Sequence, residues 1–424
     1  MKSIRKIVVL GANGAMGAGS GAVFAAAGIP TTFLARTLEK AEAGRERAVT
    51  LGKGAFDRAL ISCGSYASDL GHALAEADLV LEAVAEDLVT KREIFAVIDR
   101  LRPQETIVAT VSSGLSIATL CADRSAAFRR HFLGIHLFNP PTVIRGCELI
   151  AHPGTDPGVV AVVRDFLANA CNREVVECTD SPAFAGNRVG FKLLNQVAQL
   201  AEEHGVAYMD QLLGPYTGRA MAPLATIDLV GWDVHAAIVD NLHASTHDVA
   251  HAQFALPAYM RAKIAAGVLG RKTGGGFFKR EGKVSHALDL ASDAYAPADL
   301  PTPVFMEAMK HHVAHGRHAA AMEVMCSAED AGLLREVLLG YISYALGLVG
   351  EVVERPRDID RIMAFGFAWA PPSVLVDAIG PGRTIIMLEQ AKLPVPLCII
   401  QAAAHQRAMF DEPSVDRSGF FKAA

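Results

Sequence analysis

The sequence predicts an α/β fold class: a doubly wound, mainly parallel sheet followed by two related all-α domains. Three observations carry this. Short apolar runs alternate with helical patterns as far as Cys178. The first run leads directly into a glycine-rich loop, "GANGAMGAG". From Ser181 onward the chain reads as helix and loop, with landmarks that occur twice. Strands alternating with helices imply a parallel sheet covered on both faces.

Residues 4–10 pass from charge into "IVVL", a buried parallel-type strand. The glycine loop follows, then a small-residue helix, "SGAVFAAAG", ending at Gly28. A second strand, "TTFLA", ends at Ala35. Further strand-like runs are "ALIS" (59–62), "LVLEAV" (79–84), "TIVATV" (106–111), "FLGIHLF" (132–138) and "REVVEC" (173–178). Helical patterns lie between them, such as residues 87–101 and 157–170. Strand, glycine loop and helix in this order give a Rossmann-like domain over residues 1–180. A long helical pattern at 184–205 opens a first helical domain, 181–291. The soft stretch "SDAYAPADLPTP" marks residues 292–333 as a linker region, and 334–424 form a second helical domain.

The second helical domain is expected to repeat the first. Pro223, Asp228 and Gly231 recur at the same offsets as Pro372, Asp377 and Gly380. An acidic turn precedes each set, at Asp210 and Asp360. Downstream, "GGGFFK" (274–279) parallels "RSGFFK" (417–422). Each copy is expected to bury the other's apolar face.

With 424 residues, 51% of them hydrophobic, the chain can build large cores without covalent staples. Its seven cysteines form no CxxC pair, which points to reduced thiols and a cytoplasmic setting. A net charge of -5 with no polybasic run argues against nucleic acid as a partner. The start, "MKSIRKIVVLG", has too short an apolar run for a signal peptide. The stretch 337–350 is shorter than the ~20 apolar residues a membrane span needs.

The chemistry starts at the loop. Gly11, Gly14 and Gly17, with Ala15 and Met16 between them, let backbone N–H groups and a helix dipole approach a pyrophosphate. An NAD enzyme would carry an acid at the end of the second strand for the ribose 2′-hydroxyl. Here Ala35 stands there with Arg36 beside it. Arg36, with Thr37, suits a 2′-phosphate, so NADP stays open on charge grounds.

Four motifs in order resemble the L-3-hydroxyacyl-CoA dehydrogenase family: "ADLVLEAVAEDLVTKREIF" (77–95), "GIHLFNP" (134–140), "DSPAFAGNRV" (180–189) and "GRKTGGGFFK" (270–279). The doubled tail resembles that of bifunctional fatty-acid oxidation proteins, whose hydratase module this sequence is expected to lack. The resemblance implies that His136 is the general base and that Glu148, twelve positions on, holds its other nitrogen. An imidazole titrates near ~6.5 and can take and return a proton at neutral pH. Without the resemblance, His136 reads first as a satisfied core histidine. The resemblance also implies polar roles for Asn187 and Ser113, each otherwise a helix cap. The family has Asn two places before that serine, where this chain has Val111, so the local hydrogen-bond network must differ. Glu86, Lys91, Asn139 and Lys272 match cofactor-contacting positions, with NAD the family's cofactor. Lys40, Arg45, Arg47 and Lys53 are the cations available to coenzyme A.

The implied reaction is reversible NAD(P)-linked oxidation of a 3-hydroxyacyl-CoA to its 3-oxo form. Two other readings stay beside it: a 3-hydroxy acid or sugar-acid dehydrogenase without CoA, and a non-catalytic cofactor-binding scaffold. The implied partner is a small acyl-CoA, with no nucleic acid and no membrane. The repeat suggests a monomer, or a dimer through a surface other than the family's. His243, His247 and His251, at i, i+4 and i+8 of one expected helix, and the group His311, His312, His315 and His318, read as polar helix faces, so no metal is expected.

Overall fold

The computed structural model describes residues 3–282, 284–412 and 415–423. The first two residues of the signal-like start therefore lie outside the described residues. The chain divides into two compact units, 1–184 and 185–424.

The first unit holds an eight-stranded sheet: β1 (Ile7–Leu10), β2 (Thr31–Ala35), β3 (Ile61–Ser65), β4 (Leu79–Glu82), β5 (Ile107–Thr110), β6 (Phe132–Leu137), β7 (Gly146–Ala151) and β8 (Glu174–Cys178). The order across it is β3-β2-β1-β4-β5-β6-β7-β8. Helices α1 (Ala15–Ala26), α2 (Leu38–Gly52), α3 (Tyr66–Glu76), α4 (Leu88–Leu101), α5 (Ile117–Cys121), α6 (Ala126–Arg130) and α7 (Pro157–Asp165) connect the strands. Every residue of β1 and β4 is buried, as a parallel sheet covered on both faces requires. The small residues of α1 let it approach closely. A Cβ on Gly21 would sit 2.1 Å from the Phe33 ring.

Two features depart from expectation. The strand read at 59–62 begins only at Ile61, because Asp57 caps a short 3₁₀ turn over Arg58–Leu60. More consequentially, β7 was not anticipated. It runs antiparallel to β6, and β8 runs parallel to β7. Glu148 interrupts the apolar pattern of "GCELIA", yet it is fully buried. A buried charge hides a strand from a reading based on hydrophobic pattern.

The second unit begins with α8 (Gly186–His204), α9 (Val206–Leu212), α10 (Pro223–Val230), α11 (Trp232–Ser245) and α12 (Ala258–Ala265). A three-stranded antiparallel sheet follows: β9 (Phe278–Glu281), β10 (Val284–Asp289) and β11 (Ala294–Pro297). The sequence reading had placed only helix and loop there. Residues 292–333 are not simply a linker. They carry α13 (Val304–Ala314) and α14 (His318–Ser327), with Met306, Met309, Met322 and Met325 fully buried. Their helical apolar spacing was masked by the Pro-rich approach to them. The unit closes with α15 (Gly332–Gly347), α16 (Pro356–Gly366), α17 (Pro372–Ile379), α18 (Pro381–Gln390) and α19 (Leu397–Ala404). Among the described residues, no helix is long and apolar enough to cross a membrane.

Equivalent aspartates do equivalent work in the two halves of this unit. Asp210 accepts hydrogen bonds from the Leu224 and Ala225 N–H groups at the start of α10, and Asp360 from Ser373 N–H at the start of α17. Asp228 accepts from the N–H groups of Phe277 and Phe278, and Asp377 from those of Met409 and Phe410. Gly231 and Gly380 precede the next helix at φ 101° and 96°, where a side chain would be strained. The capping pattern corrects one pairing. The counterpart of Phe277–Phe278 is Met409–Phe410, not the look-alike "RSGFFK".

Burial pushes both capping carboxyls, Asp210 and Asp360, up to about 7 against the pull of their backbone donors. An unfolded aspartate titrates near ~3.9. Below that pH the protonated form is common to both states, and the contribution to stability is complete. As pH rises from about 4 to about 7 the unfolded chain ionises first, and the contribution is lost. The melting temperature of wild type minus that of Asp360→Asn should therefore fall across this window. A flat or rising difference in a thermal-melt series would refute the assignment.

Candidate active site

Residues at the carboxyl ends of β1, β4, β5 and β6 build the site, the usual place in an open α/β sheet. The glycine loop leaves β1 at Gly11, whose φ is +74°. A Cβ there would lie 2.4 Å from the Ala83 carbonyl oxygen, and one on Gly17 would lie 2.5 Å from the Gly11 oxygen. Gly14 is the N-cap of α1, with no side-chain cap and no acid in the first turn, where Ala15 and Met16 stand. Every other helix of this unit, α2 to α7, starts with a side chain accepting one of its first N–H groups. The donors at the start of α1 are thus left for an anion. Two contacts absent from the sequence reading shape the loop. Gly11 N–H donates to Tyr66 Oη at 2.8 Å, and Gly44 of α2 presses so close that a Cβ would lie 2.5 Å from Ala12 O.

Ala35 ends β2 buried, and Arg36 after it is exposed. Thr37 is occupied as the N-cap of α2. Of the cations on α2, Arg45 lies near Glu42 and Glu46 of its own helix, and Arg47 donates to the Asn13 carbonyl in the loop at 3.4 Å.

A second cluster lies at the ends of β4 and β5. Lys91 is fully buried, and its ammonium donates to both oxygens of buried Glu82 at 2.9 Å. It also stands 3.3 Å from Glu86. Lys91, which the resemblance implies as a cofactor contact, is buried with its charge against these two carboxylates. Glu86 Oε1 accepts from Ser112 Oγ, Ser113 N–H and Gly114 N–H at 2.6, 2.8 and 3.0 Å. Burial opposes ionisation of Glu86, but the Lys91 ammonium and these donors win and hold its carboxyl below the usual range. Thr110 Oγ1 donates to Glu82 and accepts from Ser112 N–H. Glu82, Thr110 and Ser112 are the network that this chain has around Val111, and the sequence reading missed their roles.

His136 and Glu148 are direct cross-strand partners in the β6–β7 register. Partners in register point to the same face, which turns a twelve-residue separation into contact. His136 Nδ1 lies 2.6 Å from Glu148 Oε2, with His136 4% and Glu148 0% exposed. The other carboxylate oxygen accepts from Cys178 Sγ at 3.6 Å. Phe138 meets the imidazole edge-on and Phe184 flanks it, at centroid distances of 5.0 and 5.6 Å. Ala183 and Phe184 both adopt left-handed backbone, at φ 56° and 57°, which delivers the Phe184 ring to the histidine. The loop after β6 carries exposed Asn139 and a cis Asn139–Pro140 peptide. Arg173 clamps this loop by donating to the Pro141 and Ile144 carbonyls at 2.8 and 2.9 Å. Pro141 packs against α1, 2.9 Å from where a Gly19 Cβ would be.

In the second unit, Asn187 is buried in the first turn of α8. Lys272 pairs with Asp233 in the first turn of α11. The expected histidine helix ends at Ser245, so His247 and His251 lie beyond it, though the His243 and His251 rings stack at 4.2 Å. Among the described residues no group of side chains could hold a metal ion. All seven cysteines are free thiols.

Comparison with known proteins agrees with this layout. Residues 6–181 match the 3-hydroxyacyl-CoA dehydrogenase NAD binding domain, and 184–280 match the 3-hydroxyacyl-CoA dehydrogenase C-terminal domain. A probable 3-hydroxyacyl-CoA dehydrogenase of Bacillus subtilis is 32% identical over 93% of this chain, which spans only 53% of that protein's length. A protein of the same description from Deinococcus radiodurans is 36% identical over 70% of this chain and 89% of its own. The crystal structure of 3-hydroxybutyryl-CoA dehydrogenase from Escherichia coli superposes with a TM-score of 0.73 at 22% identity. It covers 95% of this chain and 99% of that one, and so speaks for the fold over nearly the whole chain, the helical part included.

The glycine geometry generates a direct test. Gly17→Val puts side-chain atoms where the Gly11 carbonyl already stands. It should weaken dinucleotide binding at least tenfold in a fluorescence titration while leaving the far-ultraviolet circular dichroism unchanged.

Proposed function

The chain belongs to the 3-hydroxyacyl-CoA dehydrogenase family, and from that premise we propose that it oxidises a 3-hydroxyacyl-CoA reversibly to the 3-oxoacyl-CoA with NAD. The observation that carries the reading is the buried His136–Glu148 pair at 2.6 Å, at the mouth of a strand whose following loop packs on the cofactor helix.

The fit of a dinucleotide rests on the uncapped start of α1 and on a loop that only glycine can line. Gly11, Gly14 and Gly17, with Ala15 and Met16, would hold the pyrophosphate. Ala35 and Arg36 would face the adenosine ribose. Glu86 and Asn139 would approach the nicotinamide end, with Lys91 acting through Glu86, and the family resemblance adds Lys272 as a cofactor contact. The nicotinamide, when bound, supplies the hydride acceptor. His136 Nε2 takes the proton of the substrate 3-hydroxyl and returns it in the reverse reaction. Glu148 fixes the ring tautomer through Nδ1–H and stabilises the imidazolium as it forms. Holding the ring between Phe138 and Phe184 keeps Nε2 aimed in one direction. Ser113, presented by the Glu86-bound turn, supplies polar support to the substrate, the role that the family resemblance also implies for Asn187. Lys40, Arg47 and Lys53 are the cations we assign to coenzyme A, since Arg45 has carboxylates of its own nearby.

Acetoacetyl-CoA reduction followed at the nicotinamide absorbance tests the reading. Turnover should occur with NADH, with NADPH the poorer donor. His136→Gln should lower kcat by roughly 10²- to 10⁴-fold, the range of a positioned general base. Glu148→Gln should lower kcat with little change in KM, because its role is to hold and charge-balance the ring. Turnover of free hydroxy acids alone would favour the CoA-independent reading, and no turnover with either cofactor the scaffold reading.

We also propose that residues 181–291 and 334–424 are two copies of one helical unit, and that packing between them replaces a family-type subunit contact. Residues Gly186–Ala198 of α8 are buried without a break. Light scattering coupled to size exclusion should show a monomer, or a dimer whose cross-links avoid residues 184–280. A dimer cross-linked through that segment would overturn the proposal.

A further inference from the structure

A cavity of about 1110 Å³ opens in the second unit, walled by α8, α15, α18 and the segments beside them. Its lining includes Lys192, Gln253, Leu339, Tyr344, Met387 and Leu393. None of these enters the proposed dehydrogenase chemistry.

Lys192 is the unusual group. It is only 6% exposed, yet no carboxylate pairs with it among the described residues. Its ammonium donates to Gln196 Oε1 at 2.8 Å, lies 3.5 Å from the Gly340 carbonyl and sits 5.7 Å above the Tyr344 ring. Buried cations are ordinarily matched by a buried anion. Burial lowers the amine to about 8 against the more distant pull of Glu336 and Asp248, so at neutral pH it remains mostly charged. The wall also carries Arg335, Arg383 and Lys392, and one carboxylate, Glu336. Arg335 donates to the Met325 and Ala328 carbonyls, and Arg383 pairs with Glu323. Lys392 stands exposed at the rim.

Gln253 is the second group. Its Oε1 is buried with no hydrogen-bond donor. A buried acceptor of this kind calls for a ligand O–H or N–H, or a water. Leu339, Met387 and Leu393 supply the apolar part of the wall. A buried cation with no paired carboxylate, an orphan acceptor and an aliphatic wall fit a carboxylate, a hydroxyl and an alkyl chain.

We propose that this cavity binds a medium-chain hydroxy fatty acid, its carboxylate on Lys192, its hydroxyl on Gln253 and its chain along Leu339, Met387 and Leu393. The site is independent of the dehydrogenase reading. It lies wholly within the second unit.

Calorimetric titration of the full chain with 3-hydroxydecanoate, decanoate and decanol tests this. The hydroxy acid should bind at one per chain, decanoate more weakly and decanol not detectably. Lys192→Met should weaken the hydroxy acid at least tenfold. Leu339→Trp, which fills the cavity and leaves the charge, should do the same, so failure of one variant to fold does not shield the idea. Binding should persist when acetoacetyl-CoA saturates the proposed active site. No binding by the wild type up to about 1 mM, the weak end of specific affinity, would overturn the proposal. So would unchanged affinity in a folded variant, or loss of binding under acetoacetyl-CoA.

Discussion

Glu148 has no contact with solvent, and in the middle of the sheet it is supported by an imidazole 2.6 Å away on the adjoining strand and by the Cys178 thiol on its other oxygen. Removing the hydrogen-bond partner of a buried polar group costs about 1–3 kcal/mol, more where that group is charged. The pair therefore constrains the sheet as well as the chemistry. It requires β6 and β7 to be antiparallel and in one register, since a one-residue slip would send the two side chains to opposite faces. That register sets the direction of β8 and the position of Asp180 just after it. Asp180 in turn accepts from Ser116 Oγ and from the Ile117 and Ala118 N–H groups, fixing the start of α5.

Elsewhere the chain uses the same device with different partners. A carboxylate is buried where backbone N–H groups or a lysine converge on it, and it ties together segments distant in sequence. Glu82 joins β4 to Lys91 of α4 and to Thr110 of β5. Glu86 gathers the turn that presents Ser113. Asp228 binds the indole N–H of Trp232 and two backbone N–H groups some fifty residues away. Such contacts are worth little individually on an exposed surface. In the interior they are specific, because each donor would be orphaned by any other arrangement.

This explains which features can be read from sequence. The glycine loop, the strand before it and α1 were legible because their demands are local: a turn, a close approach and a small-residue face within thirty residues. The histidine was legible as a base only through family resemblance, and its register partner β7 was not legible as a strand because Glu148 breaks the apolar run. The roles of Glu82, Thr110 and Tyr66 could not be foreseen, since each depends on a neighbour brought in by sheet order. The look-alike "RSGFFK" misled for the converse reason. It resembles "GGGFFK" in residue type, whereas Asp377 selects Met409 and Phe410 by geometry.

The long helix α8 shows what packing inside the second unit imposes. A helix at the surface of a unit keeps its polar side chains on the solvent face. Here Arg188, Lys192, Asn195 and Gln196 are all buried, so each needs a partner supplied by the fold. Arg188 finds Asp248 near the end of the first helical set and Tyr344 and Glu351 from the second. Asn195 donates to the Gln253 and Ala255 carbonyls and meets His235. Gly190 supplies the space for Phe367, whose ring would lie 2.2 Å from any Cβ there. The residues after the interruption at 292–333 therefore complete α8 from its otherwise exposed side. Lys192 is the member of this set whose charge no carboxylate matches among the described residues, and with Gln196, its hydrogen-bond partner, it lines the cavity.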